Sequence, residues 1–323
     1  MKLAEFITIS QVDEGTRLLR WFLRVFPGLP QGDFYKLCRG GQIRVNSSRV
    51  RGMEILRNGD VVRVPPTLNS YKTVQKKSEG GEQFSLSDLE DLRKCIIHSD
   101  NDVVVFNKPA GLAVQGGTGI KKSIDKMAAA LFPYDKISLV HRIDKETSGI
   151  LIVAKNQHAA QELSKQFQNK TAHKEYVALL HGTLSKQKGT IENHIAKGAV
   201  YEDLSNVPDG VHAQRAVTEY RLLGTAHGLL SWVWFSPKTG RTHQLRLHSA
   251  YTLGAPIVGD DLYGVTRGKD MGALNSLLKS RNLFLFAYKI TFVHPSTRKT
   301  MTLTATVPEF MQSVLKFLEF QLP

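Results

Sequence analysis

Cysteines and long apolar runs are scarce in this sequence, and each shortage excludes a class of protein. The 323 residues contain two cysteines, Cys38 and Cys95, too few for a disulfide scaffold or a four-cysteine zinc site. No uncharged apolar run approaches the roughly 18 to 20 residues that cross a bilayer, and the first residues lack the basic-then-apolar order of a secretory signal. We therefore expect a soluble protein of the reducing cytoplasm.

Acidic residues are also in short supply relative to basic ones. The chain has 43 Lys and Arg against 29 Asp and Glu, a net charge of +14 and a pI near 9.7. Hydrophobic residues make up 41% and charged residues 22% of the chain, a globular composition that excludes a mostly disordered protein. The positive charge favours a polyanion or an acidic membrane surface as partner without distinguishing the two.

The positive charge is densest near the start of the chain, which indicates a small basic domain ahead of a larger one. Residues 14–66 carry a net charge of +6, whereas the far longer remainder up to residue 323 carries +9. Pro65-Pro66 is followed by a stretch rich in Ser, Lys, Glu and Gly without apolar periodicity, as in linkers. The predicted divisions are an N-terminal strand or tail (1–13), a compact unit (14–66), a linker (67–92) and a larger domain (93–323).

Two short helices are predicted in the compact unit. Apolar residues at helical spacing indicate a first helix from Thr16, as N-cap, to Phe26, ended by Gly28. Asp33 is the expected N-cap of a second helix that ends at Gly40.

Two strands complete this unit, over 43–45 and 61–64, each beside a turn rich in Asn, Ser or Gly. Together with the helices they would present a basic face. Such a face either grips a phosphate backbone or is merely solvated, and composition leaves these interpretations about even. The basic side chains expected on it are Arg20, Arg24, Lys36, Arg39, Arg44, Arg49 and Arg51.

The order of these pieces resembles the S4 RNA-binding module. The resemblance is carried by residues 34–46 (FYKLCRGGQIRVN) and 58–62 (NGDVV). It implies a surface that docks on structured RNA through shape and phosphates rather than base edges, with Lys36, Arg39 and Arg44 among the contacts.

The larger domain alternates short strand-like and helical segments, which predicts an α+β fold on a large, mostly antiparallel sheet. Helices are expected at 123–131 and 156–168. Strands are expected at 103–106, 139–140, 150–154, 176–180, 218–222, 230–234, 284–292 and 301–305.

Three segments of this domain carry groups that can do chemistry, although each has an ordinary structural interpretation when taken alone. Asp144 lies between Arg142 and Lys145 in the segment 141–149 (HRIDKETSG), and such a carboxylate is more often a paired structural group. The segment 174–176 (KEY) places a phenol at the start of a strand. In the segment 239–248 (TGRTHQLRLH), Thr242 is the expected cap of a helix to Gly254, an anion-friendly end.

Other chemistries fit less well. His243 and His248 are five residues apart and miss the i, i+4 spacing of helical zinc ligands. Residues 116–123 (GGTGIKKS) lack the glycine that precedes Lys-Ser in a phosphate-binding loop, and no G-x-S-x-G segment is present. We expect no metal site.

Taken together and in this order, the three segments resemble the RluA family of RNA pseudouridine synthases. Further similarity lies at 107–111 (NKPAG) and 259–264 (GDDLYG), so that the resemblance spans about residues 95–310. Ile143 stands where Leu is commoner, and Gln115 stands where His often precedes the glycine pair.

This resemblance implies an enzyme that isomerises uridine in RNA to pseudouridine without a cofactor or metal. The S4-like front and residues 116–119 favour large-subunit (23S) ribosomal RNA as the substrate, and we expect a monomer. The same chemistry on transfer RNA or at other ribosomal sites is the alternative. A non-catalytic RNA-binding protein of ribosome assembly is an alternative from another class. A membrane-binding protein is a third class, but no basic amphipathic helix supports it.

The resemblance also implies roles for individual residues. Asp144 would act as nucleophile or base on an extruded uridine, with Arg246 as its bidentate cation partner. Tyr176 would stack on the uracil, and Arg142 would contact the RNA, filling the gap that the base leaves. Attack at C1′, attack at C6 and proton removal from the ribose stay open. The further substrate contacts expected in this domain are His141, Arg241 and His243, with an apolar wall at 285–287.

Overall fold

A computed structural model describes residues 4–10, 13–26, 29–71, 84–196, 198–264 and 282–323. They form two sheets, each with its own buried core. Within these ranges, no helix has the length and apolar character that crossing a membrane requires.

The front sheet is a small antiparallel sheet covered by two helices. Its strand order is β1-β4-β2-β3. Four aromatic residues on or beside the helices, Trp21, Phe22, Phe26 and Phe34, are fully buried and are the largest side chains of its core. The elements are β1 (Glu5–Thr8), α1 (Leu18–Val25), α2 (Gln31–Arg39), β2 (Arg44–Val45), β3 (Ser48–Arg49), β4 (Val61–Val64) and a 3₁₀ turn (Pro66–Tyr71).

Both predicted N-caps of the front helices were wrong. Thr16 does not cap α1, because Arg17 still pairs with Ile55 in a β-bridge and keeps the chain extended for one more residue. Asp33 lies inside α2, whose N-cap is Pro30. The carbonyl oxygen of Pro30 accepts the first hydrogen bonds of that helix. Gly28 lies outside the described residues.

The ends of the predicted linker are helical. Leu68 is buried in the front core. Farther on, α3 (Leu86–Lys94) begins with a capping box in which Ser85 and Asp88 each accept a backbone hydrogen bond from the other. The Ser-x-x-Asp pattern before Leu89 and Leu92 was the available signal for this helix. Residues 72–83 of that predicted linker lie outside the described ranges, and the predicted domain boundaries stay predictions.

The large sheet is mixed but mostly antiparallel, which confirms the predicted α+β class. The strand order is β11-β10-β12-β13-β9-β14-β8-β6-β5, with β15 paired to β14 and β7 to β8, and β14–β8 is the parallel pair. The strands are β5 (Ile96–Ser99), β6 (Val103–Lys108), β7 (Ser138–Leu139), β8 (Ser148–Ala154), β9 (His173–His181), β10 (Lys188–Ala196), β11 (Ala199–Tyr201), β12 (Gln214–Ala226), β13 (Leu230–Pro237), β14 (Leu285–Val293) and β15 (Thr300–Thr304).

Two helices of the large domain confirm predictions, and one further helix was not predicted. They are α4 (Ile124–Leu131), α5 (Gln157–Gln168), α6 (Gln244–Leu247) and α7 (Glu309–Phe317). Helices α4 and α5 confirm the predicted segments, and Asn156 caps α5 by accepting a hydrogen bond from the backbone N of Ala159. Strands β5, β10 and β11 and helix α7 were not predicted.

Four residues lie in one row across the centre of the large sheet: Gly149, Ala287, Tyr176 and Phe235. Gly149 has φ +110°, and a Cβ there would stand 2.3 Å from the carbonyl oxygen of Ala287. Only glycine tolerates this combination. The close approach of β8 to β14 sets where the loop before β8 sits relative to β9.

A buried carboxylate joins the front helices to the larger domain. Arg20 Nε of α1 lies 3.1 Å from Asp135 Oδ1, and Lys155 Nζ lies 3.2 Å from Asp135 Oδ2. Asn101 Nδ2 donates a hydrogen bond of 2.9 Å to the carbonyl oxygen of Gly15. The Asp135 side chain is only 5% exposed, so water screens the Arg20 contact far less than a surface ion pair.

We expect Arg20→Glu to separate the front unit from the larger domain. The substitution places a second carboxylate against buried Asp135, where like charges repel at low dielectric. Small-angle scattering should show a larger radius of gyration, reverting toward the wild-type value in Arg20→Glu/Asp135→Asn. Arg39→Glu, which changes the same charge on exposed α2, is the control and should scatter like the wild type. A radius unchanged in Arg20→Glu would contradict the docking role.

Candidate active site

Lys108 fixes the backbone beside Asp144. Its side chain is completely buried at the end of β6. Its Nζ donates hydrogen bonds to the carbonyl oxygens of Pro109, Leu112 and Lys145 at 2.9, 2.9 and 2.8 Å. Burial lowers the pKa of Lys108 to about 7, although nearby carboxylates oppose the shift. One ammonium group thus ties the loop before β8 to the strand that precedes it.

Asp144 and Tyr176 line the same small cavity. Its volume is about 90 Å³. Leu285 forms part of its wall, in the segment expected to be apolar. Arg142 and Arg241 are among the cations that line it. The cavity therefore combines a carboxylate, a phenol and cations.

Two opposing effects act on the pKa of the Asp144 carboxyl, namely its burial and the surrounding cations. Burial raises its pKa above the usual value, while the charges of His243, Arg246 and Lys108 oppose the rise in that order. The charge of Asp260 adds to the rise. A carboxylate deprived of water in this way is more basic than one on the surface.

Arg246 binds Asp260 and not Asp144, so the predicted bidentate partner was wrong. Arg246 Nε and Nη2 donate to Asp260 Oδ2 and Oδ1 at 2.8 and 2.6 Å, and the two side chains are 5% and 0% exposed. Burial would raise the pKa of Asp260, but the hydrogen bond and charge of Arg246, together with the backbone N–H groups of Tyr263 and Leu262, lower it below the usual value. Arg246 acts on Asp144 through its charge, because the segment after residue 258 brings a better-placed carboxylate to its fork.

The loop that begins at Asp260 also positions His243. Asp260 Oδ1 accepts hydrogen bonds from the backbone N of Leu262 and Tyr263, each at 3.0 Å. The Tyr263 hydroxyl lies 2.8 Å from His243 Nδ1. The guanidinium of Arg246 lies 5.2 Å from the centre of the Tyr263 ring. One buried ion pair thus orients two cationic residues near Asp144.

The N-cap of the helix that was predicted to follow Thr242 lies one residue later in the chain. His243 has φ +54° and is the N-cap of α6 without a side-chain hydrogen bond. The Gln244 side chain instead holds the segment before the helix, because its Oε1 accepts from the Thr239 hydroxyl at 2.7 Å and from the Arg241 backbone N at 3.0 Å. After four residues the helix widens into a π-helical turn, His248–Thr252, so no regular α-helix runs to the predicted end.

Tyr176 keeps its proton. Its side chain is 9% exposed at the start of β9. Burial raises the pKa of the phenol above its usual range, and the charge of Asp144 adds to the shift. The hydroxyl can therefore donate a hydrogen bond, and the ring offers a face to a bound base.

Arg142 and Arg241 line the cavity and come from two different segments of the chain. Arg142 is exposed, and its Nη1 donates to Gln115 Oε1 at 3.2 Å. Arg241 is held more firmly, with Nε donating to the Arg215 carbonyl oxygen at 3.0 Å and Nη1 donating to Gln214 Oε1 at 2.6 Å. Arg142 is the freer of the two to meet a ligand.

His141 lies in a neighbouring cavity. Its Nε2 accepts a hydrogen bond of 2.9 Å from the backbone N of Ile152, and its ring stacks on Phe167 with centroids 4.4 Å apart. Burial, together with the charge of Lys174, lowers the pKa of His141 to about 3. The ring is therefore neutral, with its proton on Nδ1.

The three basic residues predicted in the front unit lie outside this site and differ from one another. Lys36 Nζ pairs with Asp33 at 3.2 Å on the exposed side of α2. Arg39 is exposed at the end of the same helix. Arg44 is half-buried, and its guanidinium donates to two carbonyl oxygens of its own turn.

Comparison with known proteins places the large domain in a family. Residues 102–251 match the family model of the RNA pseudouridylate synthases. The "Ribosomal large subunit pseudouridine synthase C" of Vibrio cholerae is 34% identical over 96% of this chain and 96% of its own. The protein of the same name from Haemophilus influenzae is 32% identical over 97% and 94%. The chain belongs to the RNA pseudouridylate synthase family. The predicted enzyme class is confirmed.

A solved structure supports the same assignment for this pseudouridylate synthase. "Human RNA Pseudouridylate Synthase Domain Containing 4" has a TM-score of 0.62 at 26% identity, covering 73% of this chain and 97% of that one. The S4 resemblance of the front unit stays a prediction.

Two residues of the pseudouridylate synthase site had no predicted role, Lys108 and Asp260. Both lie in segments that carry the family resemblance, yet a lysine before Pro-Ala-Gly and an aspartate before Asp-Leu-Tyr have no chemical signature in sequence. Their partners are backbone carbonyls and a guanidinium from distant segments. The roles of Lys108 and Asp260 are therefore visible in the folded structure but not in the sequence.

A cluster of potential metal ligands lies away from this site. The ligand atoms of Asp100, Asp102 and His294 are within 4.8 Å of one another. His294 Nδ1 accepts hydrogen bonds from the backbone N of Ser296 and Thr297, so its Nε2 carries the proton and donates to Asp100 at 3.0 Å. Neither ring nitrogen has a free lone pair for a metal, and the cluster is a hydrogen-bonded structural unit.

Proposed function

We propose that this enzyme isomerises uridines of large-subunit ribosomal RNA to pseudouridine. The observation that carries the proposal is the pair Asp144 and Tyr176 in one cavity that is also lined by basic residues. The names of the relatives that align along almost the whole chain support the choice of RNA.

The reaction exchanges one glycosidic bond for another without a net change in redox state. The N1–C1′ bond of uridine breaks, the base turns, and a C5–C1′ bond forms while C5 loses a proton and N1 gains one. An ionised Asp144 provides the nucleophile or base that this requires, and the charges of His243, Arg246 and Lys108 favour the ionised form. A cofactor is not needed for these steps.

The target base reaches Asp144 only after it leaves the RNA stack, which costs a few kcal/mol. Arg142 is exposed at the cavity and can occupy the space that the base vacates. The ring of Tyr176 then stacks on the uracil, and its protonated hydroxyl lies on the side where C5 loses its proton. His243 and Arg241 hold the nucleotide from the other side of the cavity.

Site-resolved mapping of pseudouridine tests this proposal. The purified protein is incubated with large-subunit ribosomal RNA and, separately, with transfer RNA. We expect pseudouridine at discrete positions of the ribosomal RNA alone. Product in transfer RNA would favour the alternative substrate, and binding without product in any RNA would favour a non-catalytic assembly protein.

The front unit, on this proposal, docks the enzyme on folded RNA. Lys36 and Arg39 present their charges to solvent on α2, whereas the guanidinium of Arg44 is engaged with its own turn. The first two are therefore the better phosphate contacts. Monomeric state and cytoplasmic location stay predictions.

Replacing both Lys36 and Arg39 by Gln is expected to weaken the salt dependence of RNA binding. Each lost phosphate contact reduces the slope of log K against log salt by roughly 0.7 to 0.9, so the double variant should lose about 1 to 2. Lys299→Gln/Lys316→Gln removes two exposed charges elsewhere and serves as the control. An unchanged slope in the α2 variant would contradict the docking role.

A further inference from the structure

A second, larger cavity opens beside the one that contains Asp144. Its volume is about 450 Å³, within the range of ligand-binding pockets. We call it the side cleft; it is bounded by the end of α5, the start of β9 and the end of β13. The two cavities share several lining residues, among them Arg142, Lys174 and Gly240, so they adjoin each other.

Among the residues that the structure describes, those lining the side cleft include several cations and no Asp or Glu. Three of its five Lys and Arg side chains already have partners: Arg142 binds Gln115, Lys238 pairs with Glu219 at 2.7 Å, and Arg241 is held by Gln214. The complete basic set is Arg142, Lys170, Lys174, Lys238 and Arg241. This composition fits an anionic ligand.

Lys174 is the cation most in need of a partner. It is half-buried at the junction of the two cavities, and its Nζ would be 3.7 Å from a Cβ placed on Gly240. Across the described ranges, no carboxylate is within ion-pair distance of Lys174, and burial lowers its pKa. A half-buried ammonium without a counter-charge is costly unless a ligand supplies one.

His141 adds a hydrogen-bond donor without an acceptor. Its Nε2 accepts from Ile152, so Nδ1 carries the proton, and that buried atom finds no hydrogen-bond partner in the parts of the chain that the structure describes. The charge of Lys174 reaches this ring. Because that nitrogen has no exposed surface, Lys174 is the group of the cleft that is left to meet an oxygen of a ligand.

Phe167 and Pro237 give the cleft an apolar wall. Bases of single-stranded RNA stack on such surfaces, while phosphates take the cations. A nucleotide satisfies both halves of the cleft, which a small inorganic anion does not.

We infer that the side cleft binds the nucleotide adjacent to the target uridine, with Lys174 holding the phosphodiester that joins the two. This inference rests on the proposed function, since it takes the Asp144 cavity to hold a uridine of RNA. The role of Lys174 is to position the strand, and stacking of the adjacent base against Phe167 adds affinity that tolerates any base.

Neutralising single phosphates tests the contact directly. Short RNA substrates carry a methylphosphonate at one of the two phosphates that flank the target uridine, and dissociation constants are measured for wild type and Lys174→Gln. We expect wild type to lose about tenfold in affinity for one of these substrates, while Lys174→Gln, already about tenfold weaker on unmodified RNA, loses little more. Such non-additivity identifies a direct pair.

The controls separate this contact from general charge effects. Lys186→Gln removes one exposed lysine beyond the far end of β9, on the order of 20 Å from Lys174 at about 3.3 Å per residue, and should respond to the methylphosphonates like wild type. Lys174→Arg should restore most of the affinity. Thermal melting of each variant shows whether it is folded.

The following outcomes would overturn either the side-cleft inference or the proposed function. Additive losses at both phosphates, or wild-type affinity of Lys174→Gln, overturn the side-cleft inference. An equal effect of free inorganic phosphate at millimolar concentration on wild type and Lys174→Gln also overturns it, because the anion would then bind elsewhere. Failure of wild type to form pseudouridine in any RNA overturns the proposed function instead. This outcome is measured separately, by the pseudouridine mapping described above.

Discussion

Replacing Asp144 by Asn is expected to abolish pseudouridine formation and leave a protein at least as stable as the wild type at neutral pH. The amide keeps the shape of the carboxyl but supplies neither a nucleophile nor a base. Losses for removal of such a group are at least about 10⁴-fold. The measurement is single-turnover conversion of uridine in large-subunit ribosomal RNA by the two proteins at equal concentration.

The stability part of this prediction follows from the raised pKa of Asp144. Between the ordinary value of 3.8 and the raised value in the fold, the unfolded chain has lost the proton while the folded chain still binds it. Stability therefore falls as pH rises through that window. The amide side chain of the Asp144→Asn variant carries no charge at any pH, so the variant does not show this loss. Thermal melting of both proteins from pH 4 to 8 measures the difference.

Asp209→Asn is the matched control, because Asp209 is exposed and lines neither of the two cavities. It should convert uridine like wild type. Equal conversion by wild type and the Asp144 variant would remove Asp144 from the mechanism. A variant that is inactive and also much less stable would assign the carboxylate a structural role.

The strands of the large domain were predictable because apolar runs such as 103–106 and 150–154 are buried on both faces and read as continuous hydrophobic segments. Strand β10 was missed because its buried residues are few, chiefly Ile191 and Ile195, between polar ones. Helix α3 was missed because its capping signal lies in a stretch whose composition resembles a linker.

The sequence predicted which types of residue surround Asp144, but not which of them bind one another. A motif names Arg246 as a cation of the site, but which carboxylate its fork meets depends on where the segment after residue 258 folds. Glycine at 259 and 264 permits that course: a Cβ would stand 2.0 Å from the Asn282 carbonyl oxygen or 2.2 Å from that of Asp260. Contacts between distant segments of this kind leave no periodic pattern in the sequence.

Replacing Asp260 by Asn is expected to lower the stability of the protein and to move its activity to lower pH. Removing one partner of a buried ion pair leaves the other charge uncompensated and typically costs about 3 kcal/mol or more. The negative charge of Asp260 also raises the pKa of Asp144, so its loss lowers that pKa. The acid limb of the pH–rate profile, where Asp144 becomes protonated, should therefore shift to lower pH.

Glu192→Gln provides the comparison, because it breaks the ion pair with Arg215, which is about half exposed on both sides. Exposed pairs contribute little, so urea unfolding and the pH–rate profile should match those of wild type. The two effects of Asp260→Asn are separable, since the profile is measured at a temperature where both proteins are folded. A destabilised variant with an unmoved acid limb would mean that Asp260 supports the fold without tuning Asp144. A shift of the limb to higher pH would mean that Arg246, once released, turns away from the carboxylate it is proposed to keep ionised.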